Sequence, residues 1–129
     1  MNIVLDTNVL VSALRSPRRK PASIINAVIV GRFNLCYDFR IVEEYERVLR
    51  YPKFGFSNAE IDALLDPMLR QGPSVIALPL REVPFTDESD RKFYEVARYC
   101  RAPLITGNAA HFPADETIVT VADFCAMYL

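Results

Sequence analysis

Glycine is scarce in this sequence, histidine scarcer, and cysteine odd in number: four glycines, one histidine and three cysteines among 129 residues. Each scarcity removes a class of function. No Gly-rich run precedes a helix, so there is no Walker or Rossmann turn to cradle a nucleotide phosphate. No Gly-x-Ser-x-Gly elbow occurs, and a lone His111 is a poor basis for a Ser-His-Asp triad; it reads as a surface or helix-end residue. Cys36, Cys100 and Cys125 lie far apart among apolar neighbours, with no close Cys/His pair to hold zinc. Reduced, buried thiols in a cytoplasmic protein are the expectation. No apolar run approaches the roughly 18–20 residues of a membrane span. The opening Met1-Asn2-Ile3-Val4-Leu5-Asp6 meets an acid at once with no basic stretch before it, so no signal peptide is expected. Neither charge dominates, at 15 basic against 16 acidic residues. Any attraction to nucleic acid must therefore be local.

What is present is a chain that can build a core. Half of it (51%) is hydrophobic, and a protein of this size buries about two-thirds of its unfolded surface. One domain over residues 1–129 is expected. Short apolar runs alternate with amphipathic stretches. Ile3–Leu5, Phe33–Tyr37, Ser74–Leu78, Pro103–Thr106 and Thr117–Thr120 read as strands. Helices are predicted from Val9 to Leu14, around Ile24–Ile29, over 40–50, over 57–70, over 88–100 and over 121–129. Ser57 with Glu60 forms a capping box, and Asp87 caps the next helix. Strands joined by helices make a parallel sheet covered on both faces, a three-layer α/β/α sandwich.

Ligands of open α/β sheets bind beyond the carboxyl ends of the strands. Two purely apolar runs end in polar residues there: Ile3-Val4-Leu5 into Asp6-Thr7-Asn8, and Leu104-Ile105 into Thr106-Gly107-Asn108. If these strands are neighbours, Asp6 and Asn108 share a crevice. A carboxylate at the end of a buried strand is costly unless it caps a helix or meets a cation. At about 100° per residue, Glu44 and Glu46 border opposite edges of the apolar face of the 40–50 helix, so geometry leaves both open. Asp90 borders the buried face of its own helix, where it could equally be a first-turn acid favoured by the helix dipole. Converging acids without His or Cys would select Mg²⁺ or Mn²⁺, ions suited to phosphodiester hydrolysis. Arg15, Arg18, Arg19 and Lys20 form a basic cluster soon after Asp6, expected to rim the same mouth and contact phosphate, with Arg91, Lys92, Arg98 and Arg101 as an extension.

The ordered blocks resemble a known family. Asp6-Thr7-Asn8-Val9-Leu10-Val11-Ser12 is similar to the opening of PIN domains. Glu44-Tyr45-Glu46-Arg47-Val48-Leu49 with Pro52-Lys53-Phe54, then Asp87 to Phe93, then Leu104-Ile105-Thr106-Gly107, resemble the later blocks in family order. The resemblance implies a metal-dependent ribonuclease of the VapC-like type, usually the toxin of a toxin–antitoxin pair. By the same resemblance Asp6, Glu44 and Asp90 are the catalytic acids and the ligands of Mg²⁺ or Mn²⁺, which selects Glu44 over Glu46. Thr7, Asn8, Ser12, Thr106 and Asn108 would support the pocket. RNA as substrate, a cognate antitoxin and a homodimer are the implied partners, with no membrane. The family usually has Asp where this chain has Asn108. That departure motivates an alternative: a weakly active or inactive module that binds RNA or protein.

Overall fold

A computed structural model describes all residues, Met1–Leu129. Four short strands, β1 (Asn2–Leu5), β2 (Asn34–Leu35), β3 (Leu104–Thr106) and β4 (Ile118–Thr120), form an all-parallel sheet in the order β2-β1-β3-β4. The helices are α1 (Thr7–Arg15), α2 (Lys20–Ile29), α3 (Phe39–Leu49), α4 (Asn58–Gln71), α5 (Arg91–Cys100) and α6 (Val121–Tyr128). Helices α3 and α5 pack on one side of the sheet, and α2, α4 and α6 on the other, which gives the α/β/α sandwich. Ile3, Val4, Leu5, Leu104 and Ile105 are fully buried between the layers. That burial explains why β1 and β3 are unbroken apolar runs.

Because β2 lies on one side of β1 and β3 on the other, the strand order reverses between β1 and β3. A crevice opens above their carboxyl ends at such a point. The amide of Asp6 donates to the Ile105 carbonyl at 3.0 Å, so Asp6 is the last rung of that ladder.

The position of α3 is set by two buried contacts. The Tyr45 hydroxyl donates to the Leu5 carbonyl at 2.5 Å. Arg40 bridges Asp38 (2.7 Å) and Glu95 (2.8 Å), and the other Glu95 oxygen accepts from the Leu80 amide at 2.7 Å. These bonds pair Arg40 with Glu95, while Lys92 lies against Glu44 one turn further along. Helices α3 and α5 therefore run antiparallel.

Two expectations are corrected. Ser74–Leu78 is not a strand: only Ser74 bridges Tyr37, and Ile76 and Leu78 point outward, 90% and 70% exposed. Pairing with the chain after β2 stops at Tyr37, so only Val75 and Ala77 turn in towards the core. Asp87 does cap, but it caps a 3-10 turn over Glu88–Asp90, and α5 begins only at Arg91. The Ser57–Glu60 capping box is present. Tyr45→Phe leaves the Leu5 carbonyl buried without its partner. We expect a loss of about 1–3 kcal/mol, read as a lower urea midpoint at unchanged slope.

Candidate active site

Asp6 and Asp90 share an unusual property. Asp6 occupies the N-cap of α1, and Asp90, itself in helical conformation, lies where the 3-10 turn capped by Asp87 runs into α5; neither side chain accepts a capping bond. The caps Asp38, Ser57, Asp87 and Thr120 all do. N-cap side chains normally satisfy an orphan amide, so the Asp6 carboxylate is directed elsewhere, while Asp90 follows a turn that Asp87 already caps.

The Asp6 side chain is 7% exposed. Its Oδ2 accepts from the Thr106 hydroxyl at 2.7 Å and from Asn8 Nδ2 at 3.2 Å. Thr106 in turn accepts from the Asn108 amide at 2.9 Å, and Asn8 Oδ1 accepts from the Gly107 amide at 3.2 Å. The end of β3 and the start of α1 are thus knitted around one carboxylate. Glu44 reaches the same cleft from α3, accepting from the Thr7 hydroxyl and from the Lys92 ammonium, the latter at 2.7 Å. Asp90 enters from the start of α5, and its carboxylate takes part in no ion pair.

The three acids feel one another. Burial raises the Asp6 carboxyl from the usual 3.8 to about 6, and the charges of Asp90 and Glu44 add to it against the Thr106 hydrogen bond. Burial also raises Asp90, reinforced by Asp87 and Glu44 and opposed by His111 and Lys92. The donor set consists of carboxylate oxygens alone, which suits a hard cation such as Mg²⁺ or Mn²⁺. No three Asp, Glu, His or Cys side chains converge closely enough to enclose a metal in this conformation. With Lys92 held against it, Glu44 already has a cation.

Several expectations change here. Lys92 does not extend a phosphate patch; it is buried to 13% exposure in the ion pair with Glu44. Arg91 is likewise drawn inward, to Glu88 and to the carbonyls of Leu80 and Val83. Arg98 sits by Tyr94 and Asp115. Ser12 is exposed, and its hydroxyl bonds to none of the acids. Glu46 turns away to Arg50 at 2.6 Å. His111 lies exposed in the 3-10 turn Ala109–His111, and its charge bears on Asp90 and Asp87. Arg15, Arg18, Arg19 and Lys20 are all exposed at the far end of α1, one helix length from Asp6. The single sign of Lys92's role in the sequence was its place two residues after Asp90, where a helix start brings both to one cleft.

The Asp6 shift has a sign that can be checked. Its folded pKa lies above the unfolded one, so the folded state carries the cost of the buried charge above about pH 6. That cost disappears below about pH 4, where the carboxyl is protonated in both states. In EDTA, Asp6→Asn is expected to be about 3 kcal/mol more stable than the parent at pH 8. The gain should shrink through pH 6 and vanish near pH 4 in urea unfolding.

A family model described as PIN domain matches residues 2–110. No curated protein matches the chain in sequence. The matched span runs from β1 through Asp6, Glu44, Asp90 and Thr106 to Ala110, so it contains every acid of the cleft. By this match the chain belongs to the PIN domain family, whose fold is that of nucleases.

Proposed function

We propose that the chain is a divalent-metal-dependent endoribonuclease, and the toxin of a type II toxin–antitoxin pair. The observation that carries the nuclease reading is a buried Asp6 that caps nothing and an unpaired Asp90, together with Glu44, in one crevice of a PIN fold. The toxin assignment, its antitoxin partner and a homodimer rest on the likeness of the sequence blocks to VapC-like members.

Asp6, Glu44 and Asp90 are the side chains that would hold Mg²⁺ or Mn²⁺. The ion supplies neutralisation of the phosphate charge and an acidified water. Asp6 has its orientation fixed by Thr106 and Asn8, so it can present a carboxylate without reorganising. Asp90 is ready to ligate because no donor engages it. Glu44 is the exchangeable member, shared between the Thr7 hydroxyl and Lys92. Asn108 contributes its backbone amide to Thr106 and adds no charge. With Lys92 balancing one of three acids, the cleft carries a net charge that one divalent ion neutralises.

Asp6→Asn and Asp90→Asn are each expected to lower Mn²⁺-dependent cleavage of RNA by at least about a hundredfold. Heat of Mn²⁺ binding should be lost in parallel. Equal cleavage by parent and variants would overturn the assignment. Retained RNA binding with neither Mn²⁺ binding nor cleavage in the parent would favour the inactive binding module that Asn108 suggests.

A further inference from the structure

The connection from α3 to α4 carries a feature that the acid cleft does not use. Three aromatic rings stand nearly parallel there. Tyr51 and Phe54 have centroids 6.4 Å apart at 14°, and Phe54 and Phe56 are 5.7 Å apart at 15°. Two cations flank the middle ring, with the Arg15 guanidinium 4.9 Å and the Lys53 ammonium 5.2 Å from the Phe54 centroid. The local sequence explains the arrangement. Pro52 opens a 3-10 turn over Pro52–Phe54, and Gly55, with φ at 69°, reverses the chain so that Phe56 comes beside Phe54. Phe54 and Phe56 are half-buried against the core, while Tyr51 is exposed, with its hydroxyl held by Arg47 at 2.7 Å.

Packing accounts for the two inner rings. It does not account for the cations around them. Arg40, Arg47, Arg50, Arg91, Lys92 and Arg98 all pair with carboxylates. Arg15 and Lys53 are exposed and pair with none, as is true of Arg18, Arg19 and Lys20 in the adjoining turn; Arg32, Arg70, Arg81 and Arg101 are also unpaired, but none of them lies against the stacked rings. The direction of the helices also matters. Thr7 meets Glu44 at the start of α1, and Arg15 meets Phe54 at its end, so α1 and α3 run side by side in one direction. The rings therefore lie on the side of the molecule reached from the crevice along α1, about 12 Å from Asp6.

We propose that Tyr51, Phe54 and Phe56 with Arg15 and Lys53 form a platform on which an unpaired base of single-stranded RNA stacks. The unpaired cations hold the adjoining phosphates. An exposed ring accepts any base, because every base has a π-face, whereas a base inside a duplex has no free face to offer. The platform would thereby select single strands and lead them towards the acids. In that last respect it rests on the ribonuclease reading, but the stacking itself needs neither metal nor cleavage.

The chain has no tryptophan, so Tyr51→Trp installs a single fluorophore at the outer ring. In EDTA, a single-stranded RNA of about ten nucleotides without self-pairing should quench it saturably. The same strand annealed to its complement should not. By anisotropy, Tyr51→Ala and Lys53→Ala should each weaken single-strand binding by at least about fivefold. Unquenched fluorescence at saturating RNA, or unchanged affinity in Tyr51→Ala, would overturn the platform. Cleavage is followed separately with Mn²⁺. Quenching without cleavage supports the platform and counts against the ribonuclease reading, while cleavage without quenching overturns the platform alone.

Discussion

A carboxylate buried at the end of a strand is the constraint around which this molecule is built. The amide of Asp6 closes the β1–β3 ladder and so fixes its Cα at the strand end, and the Thr106 and Asn8 bonds hold its side chain inward. The chain surrounds that charge with a threonine from β3 and an asparagine from α1, and still leaves it raised to about pKa 6. Two hydrogen bonds do not offset the loss of water. Bringing Asp90 and Glu44 alongside worsens the cost. Such a cluster persists in a fold when a cation repays it, and Lys92 repays part.

Charge elsewhere on the molecule is sorted by the same logic. The formal net charge is −1, yet this near-neutrality is a cancellation between regions. Most arginines on α3 and α5 are spent on neighbouring carboxylates, and the triad of Arg40 with Asp38 and Glu95 fixes the angle that sets Glu44 beside Asp6. The cations at the end of α1 and beside Phe54 are left unpaired and exposed. Acids gather in the crevice, while five unpaired bases stand one helix length away at the end of α1 and beside Phe54.

Much of this was legible in the residues. The apolar runs Ile3–Leu5 and Leu104–Ile105 announced buried parallel strands, and the polar residues that follow each of them marked the crevice. The capping box at Ser57 fixed the start of α4. What could not be read was which cation meets which acid. Lys92 has the same spacing on a helix as a solvated residue would, and only the antiparallel approach of α3 turns it onto Glu44. Helix geometry alone left Glu44 and Glu46 open, because each borders the apolar face; the likeness to the PIN blocks selected Glu44, and the packing of α3 turns Glu46 away to Arg50. Ser74–Leu78 misled because an apolar alternation reads as a strand whether or not a partner strand exists. The aromatic stack was hidden for a related reason: Tyr51 and Phe54 are three apart and Phe54 and Phe56 two apart, a mixture that belongs to no single regular element, and a 3-10 turn with a left-handed glycine brings them into line.

The central claim is that Asp6, Glu44 and Asp90 together form a cation site. Anomalous scattering from crystals soaked in Mn²⁺ tests it most directly. The account predicts one peak in the crevice, bounded by Asp6 and Asp90, with Glu44 released from Lys92 towards it. A crevice with no anomalous peak at millimolar Mn²⁺ and the Glu44–Lys92 pair unbroken would contradict it.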